Sequence, residues 1–337
     1  SMQINAVGWD HINSGYPLVT NFDSTSVYEI APRVEFTEPA FTQTAMTGFT
    51  EQDLEPRTII SNGFLPIAIP LYGNKVLTTS NYDTWDTEII LPQYGQPIDV
   101  DNPNENNGWV DGAFGNNTWF IMSETGERSL YSVSDGLTWL TVDLPTLSTG
   151  KWQSVTYGNG VFVAVANGEQ TVAYSTNNCA TWTSVDVSSA TTANDFRQIA
   201  YGKEIFVVID GSSHKAVVST DNGVTWTETE IDDSVDSTVT NWRSIKYGNG
   251  RFVAVSVDAR PAAYSFDGTT WYNSTTDVNG TTLEYGQGVF IAINNVDGIC
   301  CTSYDGLQWD VQPEINQSNY ETIGFTFDAD SKKGWFL

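Results

Sequence analysis

The feature that most restricts how this chain can fold is an eight-residue stretch, Ser219 to Trp226, which returns in altered form along most of its length. By residue type it is a tight, self-bonded turn. The Asp221 carboxylate can accept N–H groups from the residues that follow it, and Gly223 can take the positive φ that such a turn needs. Thr225 leads into Trp226, whose large apolar ring must pack beneath the turn. Copies end at Trp85, Trp139, Trp182, Trp226, Trp271 and Trp309, about 40 residues apart. A second series of turns keeps step with the first: Asn62-Gly63, Asn116-Asn117, Asn159-Gly160, Lys203-Glu204, Asn249-Gly250 and Gln287-Gly288. Two series in phase mean a repeating structural unit, and this interval is that of propeller blades.

The clearest unit runs from Trp242 to Trp271. Asn249-Gly250 between two apolar-rich runs marks a hairpin, since type I′ turns want positive φ at both central residues. Phe252–Val255 is apolar at every position and predicts a strand covered on both faces. Ala262–Ser265 predicts a third strand, and Trp271 opens a fourth after the Asp-containing turn. Both series count six complete units, and a seventh begins near Tyr320 with only two strands, Thr322–Phe327 and Trp335–Leu337. The predicted fold is all-β, a seven-bladed β-propeller of four-stranded antiparallel blades over residues 57–337. Residues 1–12 are expected to close the last blade: Gln3–Ile12 has the length of two short strands, and Trp9-Asp10 echoes Trp85-Asp86 and Trp309-Asp310. A ring closed by both termini leaves no open sheet edge; the alternative is truncation of a longer chain. Residues 13–56 break the repeat. Val27–Phe36 alternates like a strand interrupted by Pro32, and the segment is expected to be an irregular arm suited to docking.

The octapeptide resembles the Asp-box, the bacterial-neuraminidase repeat Ser-x-Asp-x-Gly-x-Thr-Trp of β-propellers. Ser219, Asp221, Gly223, Thr225 and Trp226 match it in full. The other copies depart: Asn177 and Cys179 replace the Asp and Gly, Asp267 and Asp305 lie in versions one residue shorter, Ser80–Trp85 keeps little beyond Asp83, and in Ser132–Trp139 the Asp slips to Asp135. In that family the box is a structural turn, so the resemblance implies a structural and not a catalytic role for these five residues.

The family includes sialidases, which implies a test for an arginine triad, a Tyr-Glu pair and an acid/base Asp. The expected Arg-Ile-Pro stretch is met only by Ala31-Pro32-Arg33-Val34, in the wrong order, and Arg243 and Arg251 stand at repeat positions where other copies carry Gln or Val. No catalytic residue is assigned.

Charge and composition narrow the partners. Fourteen basic residues against 41 acidic give a net charge of −27, which argues against nucleic acid. No apolar run reaches membrane-spanning length, and no basic-then-apolar leader precedes the first strands. Ser1-Met2 reads as a cleavage scar before a native start. The three cysteines, Cys179, Cys300 and Cys301, form no disulfide framework and read as small buried residues. His11 and His214 lack partners at ligand spacing, so no transition metal or other cofactor is expected. Asp99 to Gly108 is oxygen-rich like a calcium loop, but Pro103 and Asn104 break the ligand spacing, and an Asn/Asp-rich loop is the preferred reading. Asp232, Asp233 and Asp236 carry a weaker version of the same signal. The recurrent Tyr-Gly pairs (Tyr157-Gly158, Tyr201-Gly202, Tyr247-Gly248, Tyr285-Gly286) read as packing and not as a sugar platform, because they recur at one place in each blade.

The unit Tyr-Gly-Asn-Gly-x-Phe-Val-Ala-Val followed by Tyr-Ser-x-Asp-Gly-x-x-Trp also resembles repeats of bacteriophage virion and tail-associated proteins. That resemblance implies a soluble, non-enzymatic virion propeller, attached to other virion proteins through its N-terminal arm and presenting loops to a host surface glycan or protein. Two alternatives stand beside it: a sialidase-like glycan hydrolase, and an assembly factor like the photosystem-stability propellers.

Overall fold

The computed structural model of this chain describes residues 7–9, 17–20, 27–29, 56–62, 66–70, 75–78, 87–91, 108–231, 241–258, 260–286, 288–294, 299–311, 323–325 and 334–336. The chain divides into two compact units, Ser1–Gln43 and Thr44–Leu337. In the first, β1 (Val7–Trp9), β2 (Pro17–Thr20) and β3 (Val27–Glu29) form an antiparallel sheet of their own, with Val7 opposite Val19 and Val19 opposite Tyr28.

The second unit is built from six four-stranded antiparallel meanders. Blade I is β4 (Pro56–Ser61), β5 (Pro66–Pro70), β6 (Lys75–Thr78) and β7 (Thr87–Ile90). Blade II is β8 (Trp109–Gly115), β9 (Thr118–Ser123), β10 (Ser129–Ser132) and β11 (Leu140–Val142). Blade III is β12 (Lys151–Gly158), β13 (Val161–Asn167), β14 (Thr171–Ser175) and β15 (Thr183–Asp186). Blade IV is β16 (Phe196–Gly202), β17 (Ile205–Asp210), β18 (Lys215–Ser219) and β19 (Thr227–Glu230). Blade V is β20 (Trp242–Gly248), β21 (Arg251–Ser256), β22 (Arg260–Ser265) and β23 (Trp271–Val278). Blade VI is β24 (Thr282–Gly286), β25 (Val289–Ile293), β26 (Cys300–Ser303) and β27 (Asp310–Val311). A two-stranded hairpin follows, β28 (Ile323–Phe325) with β29 (Gly334–Phe336).

The expectation of seven blades is corrected by this count: among the described residues six sheets have four strands, and the last repeat forms a two-stranded hairpin. The expected closure by residues 1–12 is corrected with it. β1 takes its ladder bonds from β2, inside the N-terminal sheet. The inner strands β4, β8, β12, β16, β20 and β24 touch in succession, and β28 touches both β24 and β4.

Burial follows strand order. The second strands are covered throughout or nearly so, as in β9 and β13, while fourth strands such as β15 and β19 are mostly exposed. Apolar clusters therefore lie between blades: Phe120, Trp152 and Phe162 join blades II and III, and Val163, Phe196 and Phe206 join III and IV. In blades II, III and V the first hairpin turns as its type I′ signal demands, with φ of 46° and 56° at Asn116 and Asn117, 47° and 82° at Asn159 and Gly160, and 50° and 78° at Asn249 and Gly250. In blade IV, Lys203 and Glu204 hold φ of 50° and 64° without the help of Gly or Asn. The expected strand over Val27–Phe36 is seen at Val27–Glu29, and the rest of the 13–56 arm up to Pro56 lies outside the described residues apart from β2.

Candidate functional site

The inner strands surround a channel of about 810 Å³, and its chemistry is set by one irregularity that five of them repeat. Strands β4, β8, β12, β16 and β20 each carry a bulge one residue after they begin, at Trp109/Asp111, Trp152/Ser154, Phe196/Gln198 and Trp242/Ser244 among others. The large apolar residue before the bulge is buried between blades in each of these four. The bulge then offsets the pleat, so that both the bulged residue and its successor can line the channel. Val110, Gln153, Arg197 and Arg243 occupy the first of these positions, and Asp111, Ser154, Gln198 and Ser244 the second.

The second set stitches the ring together. Asp111 Oδ2 accepts the Ser154 hydroxyl at 2.8 Å and the Val155 N–H at 2.9 Å. Ser154 Oγ accepts the Ile199 N–H at 3.5 Å. Gln198 Oε1 accepts the Ser244 hydroxyl at 2.6 Å and the Ile245 N–H at 2.7 Å. Ser244 Oγ in turn accepts the Leu283 N–H at 3.0 Å. Each side chain thus receives the main-chain N–H that follows the matching position in the next blade, through four successive interfaces. An inner strand buried among its neighbours must find partners for its N–H groups, and a polar side chain from the preceding blade provides one.

One turn of the strand further on, Lys246 meets Glu284 at 2.6 Å, with 29% and 22% of their side chains exposed. Burial works against the Lys246 cation, but the Glu284 carboxylate and its hydrogen bond outweigh it and hold the ammonium above the ordinary lysine value; Asp111 adds to this. Burial raises both carboxyls: Asp111 against the opposing bonds from Val155 and Ser154, and Glu284 against the pull of Lys246. Toward the bulge end, Arg197 pairs with Asp195 at 2.8 Å, and Asp195 also accepts the Asn167 side-chain amide. Burial and the neighbouring Arg197 charge lower Arg243 below the usual arginine value.

The tyrosines at the far end of the inner strands pack on glycine. A Cβ on Gly115, Gly158 or Gly202 would lie 2.0 Å from the ring of Tyr157, Tyr201 or Tyr247, and one on Gly248 would lie 2.3 Å from Tyr285. Each Tyr also leans on the Phe at the second position of the next strand of its own blade, at centroid distances of 4.6–4.8 Å. The Tyr-Gly pairs are an inter-blade contact, which accounts for both residue types at once.

The octapeptide turns lie at the same end of each meander as the first hairpin, since strand direction alternates. In Ser219–Trp226, Asp221 Oδ1 accepts the Ser219 hydroxyl at 2.9 Å and the Thr225 N–H at 2.8 Å, and Oδ2 accepts the Thr225 hydroxyl at 2.6 Å. Ser219 Oγ takes the Gly223 N–H at 2.9 Å, and Trp226 Nε1 donates to the Gly223 carbonyl at 3.0 Å. Gly223 has φ of 85° and faces Val163 of blade III. Hairpin side chains reach the neighbouring turn at each step: Asn116 Nδ2 to Asn178 Oδ1, Asn159 Nδ2 to Asn222 Oδ1, Lys203 Nζ to the Phe266 carbonyl and Asn249 Nδ2 to the Tyr304 carbonyl. At Ser132–Trp139, the copy in which the Asp slips to Asp135, the Ser134 hydroxyl takes the Thr138 N–H at 3.0 Å. Cys179, at the glycine position of blade III, is fully buried with φ of 65°, and Trp182 Nε1 has no hydrogen-bond partner among the described residues.

Of the channel residues the sequence reading named Arg243, set aside as a sialidase arginine, and the tyrosines of the Tyr-Gly pairs, read as packing; it did not single out Asp111, Ser154, Gln198, Ser244, Lys246 or Glu284. A signal for the first four exists in Trp109-Val-Asp111, Trp152-Gln-Ser154, Phe196-Arg-Gln198 and Trp242-Arg-Ser244, where a polar residue recurs two places after a large apolar one. Asp99 to Asn106 and Asp232 to Asp236 lie outside the described residues. Among the described residues no three His, Cys, Asp or Glu side chains are grouped as a metal site, and no helix is long and apolar enough to cross a membrane.

A scan against protein-family models finds no match, and neither does a search of curated proteins. Solved structures do match. Virginiamycin B lyase from Staphylococcus aureus aligns with a TM-score of 0.67 at 13% identity, over 85% of this chain and 92% of the lyase. YCF48 bound to D1 peptide aligns at 0.58 with 14% identity, over 85% and 90%. YCF48 from Cyanidioschyzon merolae aligns at 0.59 with 14% identity, over 84% and 94%. The fold is a β-propeller. At these identities the likeness carries fold and nothing finer.

Proposed function

We propose that this protein is a non-enzymatic attachment and receptor-binding propeller of a bacteriophage virion, with turns of the Asp-box type serving as blade fasteners. The observation that supports a binding role most directly is the use made of the channel carboxylates. Asp111 is an acceptor for Ser154, Val155 and Gly112, and Glu284 holds Lys246. Both groups are therefore committed to holding neighbouring blades in register, whereas glycoside hydrolysis needs a pair of carboxyls facing substrate. The virion setting rests on the resemblance of the repeats.

A labelled full chain should adhere to host bacterial cells while releasing no fluorophore from fluorogenic sialosides or other aryl glycosides. Turnover that is lost in Glu284→Gln without loss of folding would overturn the reading. A second reading, peptide binding in the channel, is favoured by the likeness to YCF48 bound to D1 peptide, and by Arg197, Arg243 and Lys246 lining the cavity. It predicts that Arg243→Ala abolishes capture of acidic peptides and leaves cell adhesion unchanged.

A further inference from the structure

Blade V carries an aromatic cluster that the repeat does not require. Tyr264 and Tyr272 are cross-strand partners on β22 and β23, with ring centroids 5.4 Å apart and planes inclined by 28°. Phe266, in the turn between those strands, meets the two rings edge-on at 5.8 and 6.5 Å. The Arg251 guanidinium lies 5.0 Å from the Phe266 centroid and 5.8 Å from that of Tyr264, and its Nε is buried without a hydrogen-bond partner among the described residues. Despite these contacts, Phe266 and Tyr272 remain 46% and 47% exposed. Tyr304 of blade VI, 45% exposed, hangs from the same hairpin, because its carbonyl accepts from Asn249 two residues before Arg251.

The other blades act as an internal control. The inner member of the cross-strand pair is Tyr131, Tyr174, Val218 and Thr302 in blades II, III, IV and VI, and the first three of these pack into the apolar clusters between blades. The outer member is Leu140, Thr183, Thr227 and Asp310. The turn position after the serine is Val133, Thr176, Thr220 and Tyr304. Threonine satisfies the fold at both exposed positions in two blades. Only blade V, among the five described there, has aromatic residues at all three.

We infer that this cluster is a saccharide-binding platform, on which the C–H face of a pyranose ring stacks against Tyr272 while Phe266, inclined by 60°, flanks its edge. The inference rests on the receptor-binding reading and names where on the molecule, and for what chemistry, the contact is made. Three features select the occupant. Three rings cannot supply the roughly 800 Å² per partner of a stable protein interface, but they match the footprint of one or two sugar rings. Exposed planar rings, those of Tyr272 and Tyr304 with a hydroxyl at the tip, suit a ligand that is apolar on its face and hydroxylated at its edge. Lys203, whose Nζ donates to the Phe266 carbonyl, and Arg251 place donors at the rim for ring hydroxyls. The net charge of −27 opposes nucleic acid, whose bases would otherwise stack on the same rings.

The test is a printed array of bacterial surface oligosaccharides probed with the labelled full chain, followed by titration of the strongest binder. Tyr272→Ala and Phe266→Ala should each weaken its dissociation constant by about tenfold or more, as loss of a stacking anchor does. Tyr272→Trp should retain affinity, and Leu140→Ala, at the matching position of blade II, should leave it unchanged. Phe266→Ala keeps the experiment interpretable, since threonine at that position in two other blades shows that the turn folds without the ring. Unchanged affinity in both alanine variants, or a wild-type chain that binds no oligosaccharide while still adhering to cells, would overturn the platform and leave the attachment reading standing. Failure to adhere to cells and to the array alike would overturn both.

Discussion

At the scale of single residues, the molecule depends on glycines and carboxylates whose roles differ although they recur together. Gly202 is required for space: a Cβ there would fall 2.0 Å from the Tyr247 ring. Gly202→Ala should cost about 3 kcal/mol or more in denaturant unfolding, as overpacking against a ring held by Phe252 does. Pairing it with Tyr247→Ala should recover part of that loss, and a double-mutant cycle would measure the coupling. Asp267 is required for charge. Bonds from the Thr270 and Thr269 N–H groups overcome its partial burial and lower its carboxyl from 3.8 to about 2. A depressed acid stabilises the fold fully above its ordinary value and loses that contribution as pH falls through the folded one. The melting advantage of wild type over Asp267→Asn should therefore be present at about pH 6 and vanish toward pH 2. Asn177 already fills the same place in blade III, accepting the Thr181 N–H through its amide oxygen, so the variant should fold. The five residues Ser219, Asp221, Gly223, Thr225 and Trp226 were visible in the sequence because the turn is local. That a Cβ on Gly223 would lie 3.2 Å from Val163 of blade III was not, since nothing in eight residues names the neighbouring blade.

At the scale of elements, the inner strands were legible as strands and illegible as channel walls. Period-two alternation fixes which residues share a face only while the ladder is regular, and the bulge after Trp109, Trp152, Phe196 and Trp242 breaks that count. Residues that simple alternation would send to opposite faces, such as Arg197 and Gln198, both line the channel. The resulting stitch gives a direct expectation. Gln198→Ala removes the acceptor for both the Ser244 hydroxyl and the buried Ile245 N–H. It should destabilise by about 1–3 kcal/mol, the cost of leaving such a group unpaired. Faster amide exchange at Ile245 should accompany the loss, and unchanged protection there would show that the bond contributes nothing.

At the scale of the whole molecule, the ring depends on how the last repeat is used. β28 and β29 form a hairpin instead of a full blade, yet β28 touches both β24 and β4. Removing residues 323–337 should lower the melting temperature by several degrees and promote self-association in size-exclusion chromatography, because strands of blades I and VI lose their cover. A monomer with unaltered melting would show that the hairpin is dispensable. The sequence by itself determined the repeat, the strand order within a blade, the hairpin turns and the serine-anchored turns, because each is written in bonds between residues a few places apart. Tertiary structure alone decided that four-stranded blades stop at six and that β1 pairs inside its own sheet. It alone brought Asp111 to Val155, Gln198 to Ile245 and Lys246 to Glu284. Those contacts join residues some 40 positions apart across blade boundaries, where local propensity is silent and geometry selects the partner.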